Sequence, residues 1–235
     1  MKYMGSKNRI AKYILPIMLE DRKKGQYWIE PFVGGANIID KVDGDRIGID
    51  NNKYLIAMWE GLQNNVGKPL VIDKELYDKA RTEYNNGTNI YFTDFEIGWI
   101  GWMGSFNGRF FDGGYSGKTA TRDYVDEQIR NTLKQVDNIT DCLFIHSDYR
   151  DVFYPPRSII YCDIPYKGTK QYSTSRDFCH VDFFDWVRAM SKDGHKVFVS
   201  EYNAPDDFEC VWSMEVTNSM NTKNTTKPIE KLFTL

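Results

Sequence analysis

The chain has 235 residues and a mass of 27.4 kDa, which is enough for one large domain or one domain with a sizeable insertion, but not for several independent domains. With 41% hydrophobic and 27% charged residues, and no apolar run near the roughly 20 residues that a membrane span needs, the composition is that of a soluble globular protein. The net charge of −3 excludes a globally basic surface, although residues 1–24 carry seven basic residues against two acidic ones.

The first sixty residues alternate between helix and strand patterns. In chain order they predict a helix over residues 10–19, a strand over 27–32, a glycine turn, the start of a helix over 36–41, a strand over 46–49 and a helix ending near residue 59. The glycine turn is Gly34-Gly35, and the second strand ends at Asp50. This order of strand, glycine turn, helix, strand and acid is typical of the opening of a nucleotide-binding βαβ unit.

That arrangement has a specific chemical use. Glycines let the backbone approach a ligand closely, and a carboxylate at Asp50 can accept hydrogen bonds from both hydroxyls of a ribose. Turns of this kind also close strands that bind nothing, so a purely structural role for Gly34 and Gly35 stays open at this point.

Between about residues 59 and 138 the alternation lapses, and asparagine, glycine and aromatic residues accumulate. Helices are predicted over residues 73–85 and 123–136, and Asn107-Gly108 predicts the turn of a β-hairpin within residues 99–115. We interpret residues 59–138 as a mostly helical insertion domain that carries this hairpin. Residues 1–58 and 139–235 then form the domain into which it is inserted.

The predicted hairpin combines aromatic rings with polar side chains. Phe106, Asn107 and Arg109 are of the types that wedge between base steps and read base edges in nucleic acid. The alternative for the rings is a small apolar core of the insertion, which we favour for most of the five: Trp99, Trp102, Phe106, Phe110 and Phe111. For Asn107 and Arg109 we favour a binding role because they are polar and flank a turn.

The regular pattern resumes near residue 143. Strands are predicted over residues 143–146 and 158–162, the second as a nearly continuous apolar run typical of a buried parallel strand. It leads directly into Asp163-Ile164-Pro165-Tyr166. A helix over residues 182–191, a strand over 196–200 and two last strands over 211–216 and 229–235 follow, with a polar connection at 218–227. We expect the last two strands to form an antiparallel hairpin on a parallel sheet.

Cysteine and histidine would signal a metal site or a disulfide framework, and both are scattered here. The four cysteines lie far apart and form no CxxC pair, and the three histidines are equally dispersed. We therefore expect free thiols and no metal centre. The polar first residues are unlike a secretory signal, so a cytoplasmic protein is expected.

Four segments, in this order, resemble motifs of the Dam-type (D12 class) DNA adenine N6-methyltransferases, of the compact phage-like sort. Residues 2–7 read KYMGSK and are similar to the amino-terminal KWxGGK motif, and residues 30–36 read EPFVGGA and are similar to the EPFxGxG loop. Residues 49–52 (IDNN) resemble the acidic DIN segment, and residues 163–166 (DIPY) resemble the catalytic DPPY. The resemblance extends over nearly the whole chain.

The resemblance implies an α/β fold with a Rossmann-like methyltransferase sheet, an antiparallel C-terminal hairpin and a target-recognition insertion. It implies S-adenosyl-L-methionine as the cofactor, with contacts from Tyr3, Lys7, Phe32, Gly34, Asp50, Asp148, Tyr149 and Asp163. Double-stranded DNA is the implied partner, with contacts from Phe106, Asn107 and Arg109, in the cytoplasm of a bacterium or of a phage-infected host. Neither a metal nor a membrane is implied, and a monomer is the default.

The implied reaction is methyl transfer to N6 of an adenine that is rotated out of the duplex. Adenine N6 is a poor nucleophile because its lone pair is delocalised into the ring, and hydrogen bonds from N6–H to acceptors release that pair. The resemblance assigns the acceptors to the Asp163 carboxylate and the Ile164 carbonyl. It assigns stacking on the base to Tyr166, which follows Pro165.

Two positions depart from the family pattern. Ile164 stands where DPPY has its first proline, and Ala36 stands where the loop often has its last glycine. Because proline fixes φ, its replacement predicts a looser acceptor and slower transfer. A catalytically weakened relative that binds DNA is therefore one alternative. An RNA adenine N6-methyltransferase is another, although a hairpin suited to groove reading argues against it. A short palindrome such as GATC is the first target to try.

Overall fold

Seven strands form one mixed sheet in the computed structural model, which describes residues 1–166, 178–216 and 228–235. The strands are β1 (Trp28–Glu30), β2 (Arg46–Asp50), β3 (Leu143–His146), β4 (Ile159–Asp163), β5 (Lys196–Glu201), β6 (Glu209–Glu215) and β7 (Ile229–Thr234). The helices are α1 (Ala11–Leu19), α2 (Lys53–Gln63), α3 (Lys74–Asn86), α4 (Asp94–Gly104), α5 (Tyr124–Val136) and α6 (His180–Lys192). Short 3-10 helices cover Lys7–Arg9, Ile39–Lys41 and Phe106–Gly108.

The order of the strands across the sheet is β3-β2-β1-β4-β5-β7-β6. The first five in this order are parallel, while β7 pairs antiparallel with both β5 and β6. The chain runs from β1 outward to β2 on one side and from β4 outward to β5 on the other, so the β1–β4 boundary is a topological switch point. In open sheets of this kind, ligands bind outside the carboxyl ends of the strands at that boundary.

Successive residues of each central strand point to opposite faces of the sheet. Trp28 and Tyr161 join an apolar cluster with α1 and α2, whereas Ile29 and Cys162 join a second cluster with α6. Both faces are therefore covered, as the apolar run of β4 predicted. Residues of α3, α4 and α5 belong to the same cluster as Trp28, so the helices of segment 59–138 pack into a core that reaches the sheet.

The predicted helix at residues 36–41 is wrong in extent, because the structure has only the 3-10 helix Ile39–Lys41 there. The backbone before it is fixed in a different conformation. Gly34 and Ala36 have positive φ angles of 46° and 51°, which no right-handed helix contains. The loop therefore replaces the first turns of the expected helix.

The predicted β-hairpin within residues 99–115 is also wrong. Its first half belongs to α4, which begins at a capping box in which the Thr93 side chain and the Glu96 side chain each accept from the other's backbone N–H. Asn107-Gly108 does form a turn, but the turn is a 3-10 helix, and one isolated bridge between Ser105 and Tyr115 is the β-pairing found in this described segment.

The C-terminal pair agrees with the sequence prediction, since β6 and β7 are antiparallel neighbours. Their polar connection, predicted at residues 218–227, lies outside the described residues. Among the helices that the structure describes, none is long and apolar enough to cross a membrane.

Candidate active site

The glycine loop after β1 is built against the side chain of Tyr3. A Cβ atom on Gly34 would lie 2.8 Å from Tyr3 Cε1, and one on Gly35 would lie 2.6 Å from Tyr3 Cβ. Real Cβ atoms do not make contacts that short, so both positions need glycine while Tyr3 packs there. In this structure, the group that the two glycines allow to approach the loop closely is therefore the side chain of Tyr3.

Asp50 at the carboxyl end of β2 anchors the same loop. Its two carboxylate oxygens accept hydrogen bonds from Gly34 N (3.1 Å) and Asn52 N (3.0 Å). Burial raises the pKa of Asp50 to about 6, although these two backbone N–H groups oppose the rise. The loop and the acid that the sequence placed 16 residues apart thus form one unit.

Asp163 at the end of β4 is partly exposed and forms an ion pair with the buried Lys7. Lys7 Nζ lies 2.7 Å from Asp163 Oδ1 and also donates to the carbonyl of Gly5 at 3.0 Å. Burial raises the pKa of Asp163 to about 6, with Lys7 lowering it and the neighbouring Glu230 raising it. For Lys7 burial acts to lower the pKa, but the attraction of Asp163 and Glu230 outweighs burial, so the pKa is raised and the lysine is charged.

Tyr166 lies against this pair, with the ammonium of Lys7 4.5 Å from the centre of its ring. Its hydroxyl donates a short hydrogen bond to Glu230 Oε1. Glu230 comes from β7 and also lies 3.7 Å from Lys7 Nζ. One network of contacts therefore links the amino-terminal segment, the end of β4 and the last strand.

Ile164 occupies the position of the missing proline and is 3% exposed. It packs in the apolar cluster that contains Ile29 and Val199. Pro165 is held from another side, because His180 Nε2 lies 3.0 Å from its carbonyl oxygen. Packing of the Ile164 side chain thus restrains a backbone that proline would restrain through its ring.

Phe32 and Tyr149 meet at the same edge of the sheet, with ring centroids 5.3 Å apart. Phe178 and Phe183 complete a cluster of rings around Phe32. Asp148 lies beside them but binds Arg150, whose Nε is 2.8 Å from Asp148 Oδ1. The predicted cofactor contacts therefore divide into an ionic group at Asp163, a loop group at Asp50 and an aromatic group at Phe32.

The predicted DNA contacts lie on the turn that follows α4. Phe106 is 48% exposed, whereas the other four of the five rings considered for the core are buried: Trp99, Trp102, Phe110 and Phe111. The core interpretation is thus confirmed for those four. Asn107 has a φ of 55° and faces a polar cleft of about 640 Å³, which Lys2, Asn8 and Lys134 also line. Arg109 is partly exposed beside it.

Sequence reasoning missed Glu230, Glu201 and His180. Glu201 ends β5 and is 2% exposed, and its Oε2 lies 3.7 Å from His180 Nε2. Glu230 carried a usable signal, since it lies two residues before the buried Leu232 in a strand, and a period of two places both on one face. Nothing local to either glutamate indicated Tyr166 or Lys7 as a neighbour.

A model of the D12 class N6 adenine-specific DNA methyltransferases matches residues 3–222, which is most of the chain. The chain belongs to that family. A comparison with curated proteins finds no match. By its description the D12 class methylates N6 of adenine in DNA. The matched range contains Tyr3, Lys7 and the Asp163–Tyr166 segment, while Glu230 lies beyond it.

Proposed function

We propose that this protein transfers a methyl group from S-adenosylmethionine to N6 of an adenine rotated out of duplex DNA. The observation that carries the proposal is the convergence of Lys7, Asp163 and Tyr166 at the end of β4, within a chain that belongs to a DNA adenine N6-methyltransferase family. Residues 59–138 are proposed as the target-recognition insertion, and the two flanking segments as the catalytic domain.

The chemistry of the side chains fits S-adenosylmethionine. Asp50 lies at the end of β2 with a carboxylate suited to ribose hydroxyls, and Phe32 and Tyr149 offer apolar rings suited to an adenine. Tyr3 packs against Gly34, Lys7 pairs with Asp163, and Asp148 precedes Tyr149 in the chain. When bound, this cofactor supplies a methyl group on a sulfonium. Within the residues that the structure describes, no group of three or more metal-binding side chains occurs, and no metal is invoked.

Asp163 is the proposed acceptor for the target amine. As a carboxylate it accepts a hydrogen bond from N6–H, which withdraws the nitrogen lone pair from conjugation, and the Ile164 carbonyl is the second acceptor. Because Lys7 holds one oxygen of Asp163, the carboxylate is fixed in orientation before the base arrives. We assign the uptake of the proton that leaves N6 to Asp163.

Tyr166 is the proposed stacking surface for the base. Its hydroxyl donates to Glu230, so the end of the side chain is held by a contact outside the DIPY segment. While an adenine is paired inside a duplex, its N6 atom cannot come close to this edge of the sheet. Rotation of the base out of the duplex is therefore part of the proposal.

The turn at residues 106–109 is the proposed reader of the duplex. Phe106 is exposed, and Asn107 presents an amide to a cleft that also contains Lys2 and Lys134. An asparagine amide can pair with an adenine edge, and lysines at the rim of a cleft suit phosphate groups.

The test is transfer of tritiated methyl from S-adenosylmethionine to unmethylated duplex DNA, first with a GATC site, followed by separation of the nucleosides. The wild type and Asp163→Ala are compared, with Asp185→Ala as the matched control, because that carboxylate is exposed on α6 and pairs with Arg188. We expect label in N6-methyladenine, a loss of at least about a hundredfold in Asp163→Ala, and no change in the control.

Competition with a structured RNA distinguishes the nearest alternative. Preferential label in RNA would contradict DNA as the substrate. Retention of the DNA by the wild type without any label would instead identify a binding protein whose catalytic step is lost.

A further inference from the structure

Gln135 on α5 reaches the glycine loop from the side of the insertion. It is 5% exposed, and its Nε2 donates to the carbonyl oxygens of Gly35 at 3.0 Å and Ala36 at 2.7 Å. These residues are distant in sequence, so the contact exists because α5 packs across the loop. The amide uses both of its N–H groups on two consecutive carbonyls of the loop.

Side chains donate hydrogen bonds to consecutive carbonyl oxygens of the loop. Trp59 Nε1 donates to Gly34 O at 3.0 Å, and Lys41 Nζ donates to Asn37 O at 2.7 Å, on either side of the pair that Gln135 binds. Four consecutive carbonyls are therefore held by three side chains from different elements. Gln135 supplies the central two bonds.

Ala36 explains why this loop needs such support. Its φ of 51° lies in the left-handed region, where a Cβ atom is strained and glycine is favoured. A glycine would adopt this angle without strain, and the family pattern often has one here. In this chain the alanine is fully buried and its carbonyl is bound by Gln135, so the strained conformation is restrained from outside the loop.

We propose that Gln135 is a positioning residue that holds the cofactor loop in its binding conformation and that it offsets the strain at Ala36. Its effect on a ligand rests on the proposed function, while its effect on the loop does not. The consequence is that α5, a helix of the proposed recognition insertion, shapes the site in which the methyl donor binds.

Gln128 provides a matched control. It lies two turns earlier on the same helix, is equally buried, and also binds backbone, accepting from Lys2 N at 3.2 Å and donating to Lys2 O at 2.9 Å. It makes no hydrogen bond to the loop among those found in the described residues. Replacing either glutamine with methionine keeps the volume and removes the hydrogen bonds. Gln135 also accepts from the amino group of Met1, so both variants release the amino-terminal segment, and Gln135→Met alone also releases the loop carbonyls.

The experiment compares wild type, Gln135→Met and Gln128→Met by two measurements on the whole protein. Amide hydrogen exchange is followed in peptides that cover residues 33–42, and binding of S-adenosylhomocysteine is measured by calorimetry. We expect loop exchange about tenfold faster and binding about tenfold weaker in Gln135→Met, with changes below about threefold in Gln128→Met. Adding Ala36→Gly to Gln135→Met is expected to recover about threefold of the affinity, because glycine relieves the strain.

Equal exchange in wild type and Gln135→Met would overturn the inference whether or not the nucleoside binds. Equal effects of the two methionine variants would overturn it as well, because packing of α5 would then account for both. If loop exchange rises in Gln135→Met alone while the wild type does not bind S-adenosylhomocysteine, the proposed function fails and the positioning role stands.

Discussion

The carboxyl edge of the sheet and the insertion differ in how far a short motif determines the structure around it. At the sheet edge, Asp50 and Asp163 are each the last residue of a strand, and the parallel pairing of those strands through β1 brings both acids to one edge. In the insertion, Asn107-Gly108 gave a correct turn and a wrong hairpin, because the preceding residues form α4. The position of a motif at the end of a paired strand is determined by the pairing of the sheet. A turn dipeptide determines only the conformation of the turn itself.

The largest effect we expect at the sheet edge is a loss of activity in acid. The pKa values of Asp50 and Asp163 are both raised to about 6, and the role proposed for each requires a carboxylate, so we expect activity above that pH and a fall as the pH is lowered through it. With both groups required, kcat/KM for the cofactor falls about a hundredfold from pH 7.5 to pH 5. Initial rates across this range measure it.

Measurements at saturating cofactor distinguish the effect of Asp50 on the rate from that of Asp163. Under saturation the binding role of Asp50 no longer limits the rate, so we expect the slope of log rate against pH to fall from about two to about one below the pKa. A rate that stays constant down to pH 5 would show that neither carboxylate must be charged.

Replacing Glu230 tests whether the last strand contributes to the proposed catalytic site. Glu230→Gln keeps the shape of the side chain but removes the charge beside Lys7 and the strong acceptor of the Tyr166 hydroxyl. The loss of a charged hydrogen bond of about 2 kcal/mol predicts a fall in kcat of about thirtyfold with KM for DNA nearly unchanged. Glu215→Gln, which removes an exposed acid from the neighbouring strand, is the control. A matching loss in Glu215→Gln would assign the effect to the fold of the hairpin.

In the insertion, Asn107→Gly separates the side chain from the backbone of the turn. Glycine adopts the positive φ of this position without strain, so the turn is kept and the amide is removed. We expect kcat/KM for DNA to fall about tenfold, at the lower end of the contribution of a base-reading side chain, with cofactor affinity unchanged. Asn65→Gly is matched, since Asn65 is exposed and has a φ of 56°. Unaltered kinetics in Asn107→Gly would remove this side chain from DNA recognition.

The smallest effect concerns the helix that replaces the predicted hairpin. Thr93→Ala removes the side chain that accepts from Glu96 N at 3.2 Å, so we expect the free energy of unfolding to fall by about 1 kcal/mol. Denaturant titration measures the loss, and Thr82→Ala on the exposed side of α3 is the control. If both variants unfold alike, the capping box does not stabilise α4.

The sequence predicted most of the sheet, because an apolar run in a strand and the spacing of apolar residues in a helix both indicate which side chains are buried. Motifs near the strands also indicated Lys7, Asp163 and Tyr166 as candidate site residues, and the structure brings these three side chains together. The sequence did not predict the contacts of Glu230 and Gln135. The partners of these residues are distant along the chain, and nothing in the neighbouring sequence identifies them. The loop conformation was missed for a related reason, since Ala36 is an ordinary helix former whose positive φ is imposed by neighbours.

By itself the sequence determined the alternation of strands and helices, the order of the motifs along the chain and hence the family. These depend on side-chain periodicity and on residues within a few positions of one another. The tertiary structure alone decided that Tyr3 covers the glycine loop, that Glu230 binds Tyr166 and that Gln135 holds the carbonyls of Gly35 and Ala36. Such contacts join segments that meet only when the helices pack on the sheet, because buried polar groups take their partners from whatever the fold brings within reach.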